Sequence, residues 1–336
     1  MKVSVLGAGG WGTALAVLLS ERNNEVVLWE FFDDYAKVLN VKRENIKFLK
    51  GVKIPRTIRI TSDLKEALES SDFIVLAIPS HLLRSLLKNI KKLDFKNRIF
   101  ISVIKGIEQT TLMTPTQVIN DELGKVKIAV LSGPSHAEEV GRKVPTTVVV
   151  ASKDTKLAET IQSMFFTNYF RTYSRTDVMG VELGGSIKNV IAIAAGTLDG
   201  LKTGDNTKAA LITRGLAEMR RLGVAMGGEE DTFFGLSGIG DLIVTCDSRH
   251  SRNRFVGEQL GRGKKIEDIL AGMVMVAEGV KTTLSVYKLS KKYKVDMPIC
   301  NEVYHALYEG KSPYDSVRDL MKRPAKSEKE FLNKTA

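Results

Sequence analysis

Gly7-Ala8-Gly9-Gly10-Trp11-Gly12 follows the short apolar run Lys2–Leu6 and opens a helix-like stretch, Gly12–Glu21. The spacing is G-x-G-x-x-G. In such a turn the first glycine permits the tight bend, the second lets backbone approach a pyrophosphate, and the third allows close helix–strand packing. A glycine-rich turn with no ligand has the same composition, so the flanking sequence decides. A second apolar run, Glu25–Trp29, ends at Glu30, eighteen positions after Gly12. An acidic residue there can accept a hydrogen bond from a ribose 2′-hydroxyl. Strand, helix and acid together point to dinucleotide binding, with Gly7, Gly9, Gly10, Trp11, Gly12 and Glu30 as contacts. Glu30 would repel a 2′-phosphate, and Phe31 and Phe32 follow it where an arginine would be needed. The reading is therefore NAD over NADP.

Outward from this loop, two periodicities alternate. Lys2–Leu6, Glu25–Trp29, Phe73–Ile78, Arg98–Ile104, Lys127–Leu131 and Thr146–Ala151 read as buried strands. Gly12–Glu21, Ser62–Ser70, Ser80–Leu93, Thr114–Leu123 and Thr155–Phe165 read as helices, with Ser62 and Ser80 placed as N-caps. Alternation of this kind predicts α/β architecture, a parallel doubly wound sheet covered on both faces. After Met179 the strand signal fades, and Val181–Ala195, Thr207–Leu222, Lys281–Tyr293 and Asn301–Tyr308 carry helical spacing. The expected domains are 1–179 for dinucleotide binding and 180–336 for an all-helical substrate and catalytic part. No Pro/Ser-rich linker separates them, which puts the expected active site between the two.

The 336 residues include 50 Lys+Arg and 39 Asp+Glu, a net +11. That sign fits nucleic acid, a membrane surface or a phosphorylated small molecule. Both halves are mildly basic, so no separate basic arm is present. No segment has about 18 consecutive apolar residues, and the faintly signal-like start is interrupted by glycines and a tryptophan. Cys246 and Cys300 form no CxxC pair, as suits a reducing cytoplasm. The expectation is a complete, soluble, cytoplasmic protein, with the Lys-rich end from Lys322 as a solvated tail.

Two lysines stand out. Lys188 lies near the start of an apolar helix stretch, Val190–Ala195, and Lys105 ends the strand Arg98–Ile104. A snorkelling surface lysine explains the first as simply. If both face one crevice, each lowers the other's pKa, which would make one a proton carrier near neutrality. Ser251-Arg252-Asn253-Arg254 offers hydroxyl, guanidinium and amide donors to a phosphate, although a solvated basic loop reads the same way. Gly133-Pro134-Ser135-His136-Ala137 follows a strand and opens a helix, and Asp241 sits in a glycine-rich turn. His81, His136, His250 and His305 lack metal-ligand spacing, so no metal is expected.

Together these segments resemble bacterial NAD(P)-dependent glycerol-3-phosphate dehydrogenase along nearly the whole chain. GAGGWGTALA (Gly7–Ala16), IKGIE (Ile104–Glu108) and LSGPSHAEEV (Leu131–Val140) carry the resemblance in the first half. ELGGSIKNVIAIAAG (Glu182–Gly196), GLSGIGDLIVTC (Gly235–Cys246), SRNRFVGEQLG (Ser251–Gly261) and VAEGVKTT (Val276–Thr283) carry it in the second. The resemblance implies a Rossmann-type first domain and a helical second one similar to that of 6-phosphogluconate dehydrogenase. It implies Lys188 as proton acceptor, with Asp241 and Lys105 beside it in catalysis. Substrate contacts would come from Lys105, Gly133, Ser135, Lys188, Asp241, Ser251, Arg252 and Asn253. Beyond the loop, cofactor contacts would come from Lys105, Ala137, Arg252, Val276 and Glu278. The implied reaction interconverts dihydroxyacetone phosphate and sn-glycerol 3-phosphate for glycerophospholipid synthesis. The partner is then a small phosphorylated triose, with no nucleic acid, no membrane insertion and a family-level homodimer. His136 and His81 depart from the Phe and Gln common in the family, at positions without an evident chemical role. A related dehydrogenase of another 2-hydroxy compound and a non-catalytic dinucleotide sensor are the competing readings.

Overall fold

The computed structural model describes residues 1–325, 327 and 328, so most of the expected solvated tail from Lys322 lies outside the described residues. The chain forms two compact units, residues 1–104 with 115–178 and residues 105–114 with 179–336. A single cut after residue 179 does not describe this division, because the chain joins the second unit for ten residues before completing the first.

In the first unit the order is β1 (Lys2–Leu6), α1 (Gly10–Ser20), β2 (Glu25–Trp29), α2 (Asp33–Lys42), a hairpin of β3 (Glu44–Asn45) and β4 (Leu49–Lys53), and β5 (Arg59–Thr61). It continues through α3 (Leu64–Glu69), β6 (Phe73–Leu76), α4 (Leu83–Ile90), β7 (Ile99–Ser102), α5 (Pro115–Leu123), β8 (Lys127–Ser132), α6 (Ala137–Gly141), β9 (Thr146–Ala151), α7 (Thr155–Phe165) and β10 (Phe170–Arg175). The eight-stranded sheet runs β10-β9-β8-β7-β6-β1-β2-β5. Val3 and Val5 of β1 pair with Val26 and Leu28 on one side and with Phe73 and Val75 on the other. The strand order thus reverses at β1, and in open α/β sheets ligands bind beyond the carboxyl ends of strands at such a point.

Three expectations change in this unit. The sheet is not wholly parallel, since β9 runs antiparallel to β8 while β10 is parallel to β9. A parallel return needs a crossover as long as the strand. The connection to β9 holds only the five-residue α6, about 7.5 Å long, against about 20 Å for six-residue β8, and the chain re-enters reversed. The caps also differ. Asp63, not Ser62, accepts from Lys65 N and Glu66 N at the head of α3, while Ser62 donates to Asp33. Ser80 begins a 3-10 turn after Pro79 instead of capping α4. Finally, β7 stops at Ser102, so Lys105 does not end a strand. The carbonyls of Lys105, Gly106 and Ile107 accept from Asn189, Ser186 and Ser285 of the second unit, which replaces the sheet ladder.

The second unit is helical: α8 (Val178–Leu201), α9 (Asp205–Ala225), α10 (Asp241–Asp247), α11 (Arg252–Gly261), α12 (Ile266–Ala271), α13 (Glu278–Lys292), α14 (Pro298–Tyr308) and α15 (Pro313–Met321). Its axis is α8, which has apolar or small residues on nearly every face. By length and composition α8 could cross a membrane, but 83% of its most apolar window is buried in the unit. Backbone meets backbone where α8 crosses α11. A Cβ on Gly196 would overlap the Arg254 carbonyl, and one on Gly257 would overlap the Ile193 carbonyl. Each unit has its own apolar cluster, centred on β1 and α1 in the first and on α8 in the second.

Gly257→Ala should therefore force α8 and α11 apart at a cost of about 1–3 kcal/mol. The expected result is a thermal midpoint lower by roughly 2–10 °C. An unchanged midpoint would show that the helices are not in backbone contact there.

Candidate active site

Site chemistry in the second unit starts from α8. Lys188 lies one turn beyond the Gly184-Gly185 pair, and a Cβ on Gly184 would stand 2.5 Å from the Ser237 carbonyl oxygen. The missing side chain lets the wide π-helical turn Leu236–Gly240 pack directly on α8. That turn delivers Asp241 as the first residue of α10. Its carboxylate bridges two ammonium groups: Lys188 Nζ is 3.0 Å from Oδ1, and Lys105 Nζ is 2.6 Å from Oδ2. Lys188 Nζ also donates to Thr245 Oγ1 at 2.7 Å, and Thr245 in turn donates to the Asp241 carbonyl at 2.6 Å.

Lys188 and Asp241 are 6% and 1% exposed, so their charges are largely out of water. Burial pushes the Lys188 ammonium down; Asp241 opposes that and Lys105 reinforces it, leaving a pKa of about 8. Burial would raise the Asp241 carboxyl, but the two ammoniums beside it prevail and hold it below the usual carboxylate range. A lysine poised near neutrality beside a permanent carboxylate can hold or release a proton at one fixed atom. The snorkelling alternative is thereby excluded. Cys246, buried and pushed up to about 12, is a packed thiol.

The expected phosphate segment joins this cluster through amides. Asn253 Nδ2 donates to Asn189 Oδ1 at 2.9 Å, and Asn189 Nδ2 donates to the Lys105 carbonyl at 3.0 Å. Asn253 Oδ1 accepts from Gly279 N at the head of α13, next to Glu278. Ser251 is the N-cap of α11, its Oγ accepting from Arg254 N. Arg252 is exposed and donates to the Val276 carbonyl at 2.8 Å, bringing those two candidates together. Arg254 points elsewhere, its Nε being 2.6 Å from Asp199 Oδ2. Asn189 and Thr245 were not singled out from the sequence. Thr245 had a signal, since it lies four residues from Asp241 and so on the same helix face. Asn189 had none beyond its adjacency to Lys188.

In the first unit the glycine-rich loop meets its requirements. Gly7 has φ +115°, and a Cβ there would stand 2.6 Å from the Ala77 carbonyl oxygen. One on Gly12 would overlap the Gly7 carbonyl, whereas one on Gly9 would meet nothing within 4 Å. Helix α1 has no side-chain cap at its N-terminus and no acidic residue in its first turn. Its first N–H groups lack intrahelical acceptors and suit a pyrophosphate. The donor set and the open space over Gly9 thus fit a dinucleotide. Glu30 directly follows β2, is buried, and accepts from Phe32 N at 3.1 Å. Trp11 packs partly buried on the core, and Ala137 opens α6 close to Gly10. Gly133 takes φ +132°, with Ser135 Oγ donating to its carbonyl. Among the described residues no cluster of three His, Cys, Asp or Glu could hold a metal ion.

A sheet reversing at β1 under a glycine-rich turn, and a helical unit holding a buried lysine–carboxylate pair, define a nicotinamide-dependent dehydrogenase. Comparison with known proteins supplies the rest. Residues 2–158 match the family model of the NAD-dependent glycerol-3-phosphate dehydrogenase N-terminus, and residues 177–318 match its C-terminus. The chain belongs to this family. Similar curated relatives named glycerol-3-phosphate dehydrogenase [NAD(P)+] include one from Chlorobium phaeobacteroides (strain BS1), 51% identical over 98% of this chain and 99% of its own. One from Bacillus pumilus (strain SAFR-032) is 50% identical over 98% and 97%. The crystal structure of glycerol-3-phosphate dehydrogenase from Coxiella burnetii superposes with a TM-score of 0.93 at 37% identity, covering 96% of this chain and 99% of that one.

Lys188→Ala should lower kcat by about 10²–10⁴ while the chain remains folded. The pH profile gives the sign. Alcohol oxidation needs neutral Lys188 and should rise as pH passes about 8, while carbonyl reduction needs the ammonium and should fall through the same range. Near-normal turnover, or profiles without opposite slopes, would dismiss Lys188 as the acid–base group.

Proposed function

We propose that this chain interconverts sn-glycerol 3-phosphate and dihydroxyacetone phosphate, running toward glycerol 3-phosphate for glycerophospholipid synthesis. The observation that carries the reading is the Lys188–Asp241–Lys105 bridge, tied through Asn189 and Asn253 to the donor-rich start of α11. When bound, the nicotinamide supplies the hydride-transfer chemistry at C2 of the substrate. Gly7, Gly9, Gly10, Trp11 and Gly12 would hold the pyrophosphate, with Glu30 on the ribose. Ala137, Val276 and Glu278 would be further contacts, and Arg252 and Lys105 would touch both cofactor and substrate.

In reduction, Lys188 Nζ delivers a proton to the C2 oxygen as negative charge develops there; in oxidation, neutral Nζ removes it. Asp241 and Thr245 fix the direction of that proton, since each holds one valence of Nζ. Lys105 polarises the C2 oxygen, and its charge keeps Lys188 easy to deprotonate. Ser251, Arg252 and Asn253 hold the phosphate, with backbone from Gly133 and Ser135 as further support. Phosphate binding energy then positions C2, so the remote group raises turnover as well as affinity. Buried Glu30 favours NAD over NADP through charge repulsion. The same reading places the protein in the cytoplasm as a homodimer, without nucleic-acid partners or membrane insertion.

The test is NADH consumption with dihydroxyacetone phosphate set against unphosphorylated dihydroxyacetone. Turnover only with the phosphate is expected, and no turnover with it overturns the assignment. Arg252→Ala should raise KM for the phosphorylated substrate and lower kcat, with stability little changed; wild-type values of both would remove Arg252 from the phosphate site. With NADH and NADPH compared, kcat/KM should be larger for NADH, and the opposite order would refute the Glu30 reading.

A further inference from the structure

The β3–β4 hairpin, absent from the sequence reading, is locked onto the glycine-rich loop by one side chain. Asn45 is fully buried. Its Nδ2 donates to the Ala8 carbonyl at 2.8 Å and to Thr13 Oγ1 at 2.7 Å. Its Oδ1 accepts from Tyr35 Oη at 2.7 Å and from Phe48 N at 3.1 Å. Two donors and two acceptor positions are all that an amide side chain has, so Asn45 is saturated. It ties together the loop, α1, α2 and the hairpin turn. The turn also lies directly on the loop, since a Cβ on Gly10 would stand 2.6 Å from the Phe48 carbonyl oxygen.

Between Asn45 and Phe48 the turn carries an exposed ammonium. Lys47 Nζ stands 5.1 Å from the Phe48 ring centroid and 5.7 Å from that of Tyr35, and these two rings pack edge to face. Ring faces at such distances hold a cation in place without neutralising it. Among the described residues Lys47 has no carboxylate within ion-pair distance. Its charge nevertheless reaches the Glu30 carboxyl, where it opposes the effect of burial. Asp33, Asp34, Tyr35, Lys37 and Lys42 are the titratable groups on α2, and Lys37 is already paired with Asp33.

We propose that Lys47 reads the 2′ position of the cofactor's adenosine ribose and takes a 2′-phosphate there, so that cofactor choice is set by Lys47 against Glu30. The proposal rests on the dinucleotide reading of the glycine-rich loop. A 2′-phosphate beside Glu30 alone would face a carboxylate. An ammonium on a flexible four-carbon stem, carried by a fixed turn, can move from the two rings onto the phosphate oxygens. Glu30 then favours the unphosphorylated cofactor through the ribose hydroxyl, and Lys47 keeps the phosphorylated one admissible.

The test uses adenosine 2′,5′-bisphosphate and 5′-AMP, which lack the nicotinamide and require no phosphotriose, with binding measured by titration calorimetry. Lys47→Glu should lower the ratio of bisphosphate affinity to 5′-AMP affinity roughly tenfold, while Lys47→Arg should keep the wild-type ratio. Retained 5′-AMP binding in the Lys47→Glu protein reports an intact loop in the same sample. An affinity ratio within twofold of wild type in Lys47→Glu, or equal loss of both nucleotides, overturns the proposal. So does failure of the wild type to bind either nucleotide, which would also sink the loop reading. Failure to turn over dihydroxyacetone phosphate, by contrast, leaves this outcome untouched.

Discussion

A carboxylate shared by two ammonium groups, one of them, Lys188, almost wholly out of water, is the constraint around which the second unit is organised. Charges in such a place are costly unless each is paired and their remaining hydrogen-bonding capacity is met. Asp241 can serve both lysines only because its two oxygens point to different chain segments, Lys188 on α8 and Lys105 ten residues before α5. The π-helical turn and Gly184 follow from this need, since an ordinary helical entry with a side chain at 184 would hold Asp241 away from α8. The same triad that makes the site expensive to bury gives Lys188 an affinity for protons close to neutrality.

Glycine does different work in the two units. Around the dinucleotide loop it leaves space, above Gly9, for something that is not protein. Along α8 and α11 it removes space, so that Gly196 and Gly257 bring two backbones into contact. Lys188 lies on one of these helices, and Arg252 and Asn253 begin the other. Their mutual placement thus depends on a crossing with no side chains in it to rearrange. Arg254 braces the same crossing by its ion pair with Asp199, which also holds Lys208 of α9.

What the sequence revealed depended on how each element is buried. Lys2–Leu6, Glu25–Trp29, Thr146–Ala151 and Thr155–Phe165 have the bounds their apolar runs predict, because each meets the core through its own side chains. Helix α11 was harder to read because only Val256 and Leu260 face the apolar cluster, the rest of its contact being made by glycine backbone and polar side chains. The direction of β9 could not be read either, as an apolar run is the same in both senses; the short α6 decides it. Lys188, Asp241 and Lys105 were recognisable as residue types in telling segments, but their convergence on one carboxylate is tertiary. Asn45, a lone amide in a polar stretch, gave no hint of its four bonds.

The early excursion of residues 105–114 has a consequence for how the polypeptide is made. These residues leave the ribosome long before α13, whose Ser285 lies 178 positions beyond its partner Ile107. Throughout synthesis Lys105 is thus an emerged but unplaced component, and the first unit must complete its sheet across a ten-residue segment that belongs to the other unit. A fragment beginning at residue 179 could never be a self-sufficient module. It would expose Ser186, Asn189 and Ser285 to a groove stripped of the carbonyls they answer, and Asp241 would keep one lysine where two are required. Active-site assembly is therefore a late event, tied to completion of the whole chain.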